Sequence, residues 1–206
     1  YGELERAVRV SAAELAAHHV GCGDVVLMAG VARPEALITL FASARLGAVV
    51  VPVPPSSTAH EIEAIAAVMR PVATIGDAEF LASTGAGQVR LSWDAGVPGA
   101  PVLRPDADVG PLEGWRAAPG EPAIVAFTSG TSGRPKGVVL THDNLYWATR
   151  SALETLELGA DDKVLIATPI GHAAVFAGLP QYVWAAGGCV VLASRFEPDL
   201  FLELVA

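Results

Sequence analysis

The chain has 206 residues, 52% of them hydrophobic, a mean hydropathy of +0.45 and a formal net charge of −9. That length can bury a sizeable core as one large or two small α/β units, and the apolar content suits parallel strands covered on both faces. The acidic balance without a basic stripe argues against nucleic acid as a main partner, and no apolar run approaches the ~18 residues of a membrane-spanning helix.

Leu4, Ala7, Val8, Ala12 and Leu15 recur at helical spacing, and Gly21 and Gly23 then stop the helix. Asp24 to Ala29 reads as a buried strand, Glu35 to Leu46 as a helix ended by Gly47, and Ala48 to Val53 as the next strand. A helix over His60 to Met69 is blocked from continuing by Pro71 and is followed by strands at Val72–Ile75 and Gln88–Leu91. From Asp94 to Pro122 prolines accumulate among glycines and aspartates, which predicts a surface linker. Strand Ala123–Phe127, a short loop and a return strand Val138–Leu140 then form a hairpin-like flap. Asp143 is placed to cap a helix whose face holds Leu145, Ala148, Thr149, Ala152, Leu153 and Leu156. Strand Lys163–Ala167, helix Ala173–Ala186 and strand Cys189–Ala193 follow, with a further helix beginning at Pro198. Alternation of strands and helices predicts parallel βαβ units: a first unit over 1–93, a linker over 94–122 and a second unit over 123–206.

Residues Thr128 to Gly137 read Thr-Ser-Gly-Thr-Ser-Gly-Arg-Pro-Lys-Gly. Glycines let backbone N–H groups converge on an anion, hydroxyls add hydrogen bonds, and an ammonium supplies a compact positive charge. Between Pro122 and His142 the only formally charged side chains are Arg134 and Lys136, a local +2 in an acidic chain. This inventory suits a polyphosphate such as ATP, which the net charge would otherwise repel. A flexible surface hairpin is the plainer alternative, but strand-like segments flank the run on both sides. The nucleoside-triphosphate P-loop spacing does not fit: counted from Gly130, Pro135 stands at the second glycine position, and Gly137 follows the lysine in place of Ser/Thr.

The run resembles the phosphate-loop signature of the acyl-adenylate-forming superfamily, which includes acyl- and aryl-CoA ligases, acyl-AMP ligases, peptide-synthetase adenylation domains and luciferases. Tyr1-Gly-Glu-Leu4, Ala44 to Pro52 and Thr168-Pro-Ile-Gly-His172 resemble further segments of that family, in its order. The resemblance implies the parallel-sheet βαβ architecture of that family's N-terminal domain, with ATP bound by Thr128, Ser129, Gly130, Thr131, Ser132, Gly133, Arg134, Lys136 and Gly137. It implies Mg2+ accompanying ATP, coenzyme A or a phosphopantetheine thiol as acyl acceptor, and Lys136 and His172 as catalytic residues. It also implies partners: a carboxylic acid substrate, a C-terminal domain of the same protein carrying a further lysine, and an acyl carrier protein. The first residue, Tyr1, and the helix still in progress at Ala206 read as the ends of an excerpt.

His172 lies where a strand gives way to a helix, the end of an open sheet at which ligands gather. A capping or core histidine is the structural alternative. By resemblance, His172 orients the substrate carboxylate, and a helix N-terminus disfavours its protonated form. From Val164 to Ser194 no side chain carries a formal charge, and His172-Ala173-Ala174-Val175-Phe176 lacks the aspartate that, in amino-acid-activating relatives, pairs with the substrate ammonium. A buried ammonium without a partner costs several kcal/mol. An acyl or aryl acid without an α-amine is therefore expected, with His172, Ala173, Val175 and Phe176 as substrate-binding residues. Leu179 shares their apolar spacing, which a plain core helix explains equally well.

Other features read structurally. His18 and His19 are adjacent and do not share a helix face. Asp161 and Asp162 form a turn, and Asp106 and Asp108 lie in the solvated linker. No metal-ligand spacing is visible. Cys22 and Cys189 lack redox spacing and read as buried, reduced thiols of a cytoplasmic protein. Two readings compete with an acid–thiol ligase: a catalytically silent nucleotide-binding or interaction module of the same fold, and an amino-acid adenylation domain.

Overall fold

The computed structural model describes residues 1–103, 118–128 and 136–205. Helix α1 (Gly2–Ala17) buries Val10, Ala12 and Leu15 and stops where His19 turns to φ 63°. Strand β1 (Val25–Ala29) leads to α2 (Pro34–Leu46), which starts on a proline at its first turn and ends at Gly47 in the left-handed region, φ 73°. Strand β2 (Val49–Pro52) precedes α3 (Ala59–Met69), whose Thr58–Glu61 capping box satisfies the N-terminal amides. Then come β3 (Ala73–Gly76), the short α4 (Ala78–Ser83) capped by Asp77, and β4 (Val89–Ser92). After the linker, β5 (Pro122–Thr128) and β6 (Lys136–Thr141) lead into α5 (His142–Thr155). The chain closes with β7 (Lys163–Ile166), α6 (Ala173–Phe176), α7 (Leu179–Ala185), β8 (Cys189–Leu192) and α8 (Pro198–Val205).

The first sheet has the order β4-β3-β1-β2-β5-β6, parallel throughout except for the antiparallel β5–β6 pair; β7 and β8 form a second, parallel pair. The α/β expectation therefore holds, and alternate side chains of the central strands enter opposite cores. Val26 and Met28 join one cluster with Leu37, Leu91 and Phe176, while Leu27 and Ala29 join another with Ile62, Phe80 and Val125. Both faces are buried, which is why these strands read as unbroken apolar runs.

Several expectations need correction. The sheets do not divide at the 94–122 segment: β5 aligns with β2 through Val50 opposite Ile124, so β5 and β6 complete the first sheet. Nor is the start of that segment solvated. Ala100 and Leu103 are buried, and Leu103 N–H donates to Ser92 O at 2.8 Å. The Ala173–Ala186 helix is two helices, because Gly178 leaves helical geometry (φ −145°, ψ −103°) and Pro180 opens the second. Thr141, not Asp143, caps α5; its side chain accepts from Asn144 N–H, and Asn144 reciprocates to Thr141 N–H. Helix α4 has no counterpart in the sequence pattern, since a six-residue helix held by a cap shows little periodicity. Cys22 and Cys189 are free but exposed. No described helix is long and apolar enough to cross a membrane.

Candidate functional site

The β5–β6 pair is anchored at one end in both cores and exposed at the other. Ala123, Ile124 and Val125 are buried, whereas Thr128 and Lys136 are exposed. Pairing runs from Ile124 opposite Leu140 to Thr128 opposite Lys136, and Thr128 Oγ1 donates to Lys136 O at 3.5 Å. Gly137 has a steric duty: a Cβ there would meet Val125 Cγ1 at 2.8 Å and Phe127 Cζ at 3.3 Å. Of the expected ATP-binding residues, Thr128, Lys136 and Gly137 meet at the exposed end of this pair. Ser129, Gly130, Thr131, Ser132, Gly133 and Arg134 lie outside the described residues. Among the described residues no carboxylate pairs with Lys136, which leaves its ammonium available to an anion.

The strap after β7 carries the second group. Ile170 is fully buried, and Gly171 is pressed against the Val53–Pro54 backbone where β2 ends. Because β5 runs parallel to β2, the carboxyl ends of both strands face the same edge of the sheet. His172 caps α6: its Nδ1 accepts from Ala174 N–H at 3.2 Å. An accepting Nδ1 assigns the ring proton to Nε2. The imidazole and Ala173 are exposed, so the capping role does not hide the ring from a ligand. Val175 and Phe176, expected to line a substrate pocket, are instead packed in the main core at 0% and 1% exposure. Leu179 packs against the same core. Helical spacing served the core here, with only the first turn of α6 left at the surface.

A charged cluster at the same sheet edge was not anticipated. Arg33 Nη1 meets Asp94 Oδ1 at 2.8 Å and its Nε meets Glu35 Oε2 at 2.9 Å, while the guanidinium lies 5.9 Å from the Trp93 ring centroid. Asp94 Oδ2 accepts from Ala78 N–H at 2.9 Å, and Asp77 accepts from Phe80 N–H and Val31 N–H. The hydrogen bond to Glu35, joined by that to Asp94, holds Arg33 above the usual arginine value despite burial. Burial pulls Glu35 upward, but the hydrogen bond from Arg33 and its charge outweigh it, and the carboxyl settles below its ordinary value. Asp94 is lowered by Arg33 first and by the Ala78 amide second. Every carboxylate is engaged by a partner, so the cluster ties the ends of β1, β3 and β4 together. The sequence signal is a carboxylate at the end of each of two strands: Asp77 directly follows β3, and Asp94 lies two residues past β4.

His18 ends α1, and Asp162 Oδ2 accepts from Gly159 N–H at 2.7 Å in a turn before β7. Asp106 and Asp108 lie outside the described residues. Among the described residues no three His, Cys, Asp or Glu side chains converge as a metal site.

A profile of the family described as AMP-binding enzyme matches residues 1–206. Feruloyl-CoA synthase of Amycolatopsis sp is 34% identical over 208 residues, covering all of this chain and 41% of that protein. Indoleacetate–CoA ligase of Aromatoleum aromaticum is 28% identical and is covered over 42% of its length. Among solved structures, ATP-bound MatB from Rhodopseudomonas palustris aligns with a TM-score of 0.83 at 26% identity, covering 98% of this chain and 41% of that one. O-succinylbenzoate coenzyme A synthetase of Bacillus subtilis, in complex with AMP, gives 0.81 at 25% identity over 98% and 51% of the two chains. The chain thus spans about two fifths of the curated relatives it matches, 41% of the first.

Proposed function

The chain belongs to the AMP-binding enzyme family, and we propose that it is the part of an ATP-dependent acid–thiol ligase that holds the polyphosphate and presents the carboxylate to it. The observation that carries this reading is the convergence of two elements at one sheet edge. The β5–β6 pairing ends there at Thr128 and Lys136, both exposed, and the strap bearing His172 packs there against the end of β2.

In this reading a substrate carboxylate attacks the α-phosphorus of ATP, acyl-AMP forms and pyrophosphate leaves. Charge develops on the leaving group, so donors fixed at that position lower the barrier. Lys136 supplies the ammonium, while Ser129, Thr131, Ser132 and the glycine amides supply hydrogen bonds, with Thr128 and Arg134 as secondary donors. His172 offers Nε2–H to the carboxylate, because Nδ1 is occupied by the Ala174 amide. The thiol of coenzyme A or pantetheine then attacks the acyl carbon, losing its proton as the thioester forms, and the acyl–phosphate bond breaks to release AMP. Mg2+ would accompany the ATP phosphates; among the described residues no three His, Cys, Asp or Glu side chains converge to hold a metal by themselves.

The absence of formal charge from Val164 to Ser194 supports an acyl or aryl acid without an α-amine. Carboxylate-dependent exchange of pyrophosphate into ATP by the full-length protein, run over aliphatic, aryl and amino acids, tests the reaction and the substrate class together. Exchange strongest with an α-amino acid overturns the substrate assignment, and no exchange with any acid favours the silent module. Replacing Lys136 by Ala should slow adenylation about 10²-fold, the usual effect of deleting one transition-state donor, with the carboxylate dissociation constant little changed. An unchanged rate removes Lys136 from the mechanism.

A further inference from the structure

The strap bearing His172 and the end of β2 meet at a contact without slack. A Cβ built on Gly171 would lie 2.3 Å from Pro54 Cα, 2.4 Å from Pro54 N and 2.7 Å from the Val53 carbonyl carbon. All three are backbone atoms, so no rotamer change can clear the space. The φ of Gly171 lies outside the left-handed region, so glycine is needed there for room and not for backbone freedom.

Neither side of the contact is free to retreat cheaply. Pro54 is exposed, but its φ is fixed by its ring and its carbonyl accepts from Ser57 N–H at 2.9 Å, while Val53, fully buried, donates its N–H to Met28 O at 2.8 Å. On the strap, Ile170 is fully buried, and His172 N–H donates to Pro169 O at 3.0 Å. His172 follows Gly171 directly, and Val175 N–H returns to His172 O at 2.9 Å, which carries the constraint into α6.

We infer that Gly171 is a positioning residue: its absent side chain sets the distance of His172 from the carboxyl ends of β2 and its neighbour β5. The inference rests on the proposed role of His172 toward the substrate carboxylate. Restoring an ordinary 3.4 Å contact from 2.3 Å requires the strap to withdraw by about 1 Å. A displacement of that size at a reacting group costs on the order of 10²-fold.

The test uses the full-length protein and Gly171→Ala. The expected result is a fall of about 10²-fold in kcat/KM for the carboxylate, with the KM for ATP within about twofold of wild type. In a His172→Ala background, Gly171→Ala should add almost no further loss. Additive losses, an effect confined to ATP, or unchanged kinetics overturn the inference. If Gly171→Ala does not fold, the pair Gly171→Ala with Pro54→Gly replaces it, since a pliable strand end can yield in place of the strap. That pair should recover most of the carboxylate kcat/KM, and a folded pair that stays impaired counts against the contact. Should the wild-type protein show no exchange with any acid, the proposed function fails but the positioning claim remains open to NMR. The imidazole resonances of His172, assigned by their loss in His172→Ala, should move in Gly171→Ala, and unmoved resonances refute it.

Discussion

Truncating Phe176 to Ala separates a core role from a substrate-lining role. Phe176 is 1% exposed and lies in the larger core cluster with Ile166, Ile170 and Val175, so its ring has been withdrawn almost wholly from water. Emptying such a site costs about 3–5 kcal/mol, the transfer free energy of the ring plus the cavity left behind. A protein of this size loses roughly 2–4 °C of Tm per kcal/mol and a longer one loses less, so a fall of several degrees, at most about 20 °C, is expected. Helix α6 has only four residues and cannot hold itself, so loss of the ring should also loosen the His172 cap. Thermal unfolding of the full-length protein, paired with carboxylate and ATP kinetics, reads both effects. A Tm within about 2 °C of wild type combined with a raised carboxylate KM would mean that Phe176 faces substrate, and the core assignment would be wrong.

Two further outcomes follow from the charged groups. Replacing Asp94 by Ala removes its pairing with Arg33 and its hydrogen bond from Ala78 N–H; with the carboxylate partly exposed to screening, the loss should be about 0.5–1.5 kcal/mol in a urea titration. The Asp94 carboxyl is depressed when folded, so its contribution is complete above its ordinary value of 3.8 and is lost as pH falls through the depressed value. The variant should lose less stability on acidification than wild type, and an identical acid limb would refute the assignment. Burial lowers the His142 imidazole, which is therefore neutral more readily in the folded state. Its contribution is complete above the ordinary 6.5 and is lost as pH falls below that value. His142→Gln should flatten this part of the stability profile, measured by urea midpoints between about pH 5 and 7.5.

Local elements were readable where physics acts locally. Central strands announced themselves because burial on both faces removes the alternation a half-exposed strand would keep, as in Val49 to Pro52. The stop at Gly47 followed from its left-handed conformation. What escaped depended on partners distant in sequence. Nothing near Ile124 says that it will lie opposite Val50, and a proline-rich linker looks like a boundary whether or not the next strand rejoins the same sheet. The contact of Gly171 with Pro54 is of the same kind, since each residue reads alone as a turn former. His172 was read for its ligand chemistry and weighed against a capping role; the ring has a nitrogen for each.

The two elements at the sheet edge are fixed by different forces, and this bears on how a ligand-binding edge can be rigid. A parallel partner for β5 would need a crossover of a dozen or more residues, whereas an antiparallel one needs only a turn. Adding β6 antiparallel therefore places Thr128 and Lys136 opposite each other by ladder hydrogen bonds, with Gly137 giving the room that Val125 and Phe127 require. Among the described residues the strap shares no ladder with the first sheet. It is held by burial of Ile170 and by the exclusion of any side chain at Gly171. Hydrogen-bond register fixes Lys136 along the strand axis, and steric contact fixes His172 against the strand ends. Single changes on the two sides should therefore behave differently. Weakening the ladder loosens the hairpin gradually, whereas one methyl group at Gly171 forces a discrete displacement, because packed backbone atoms do not compress.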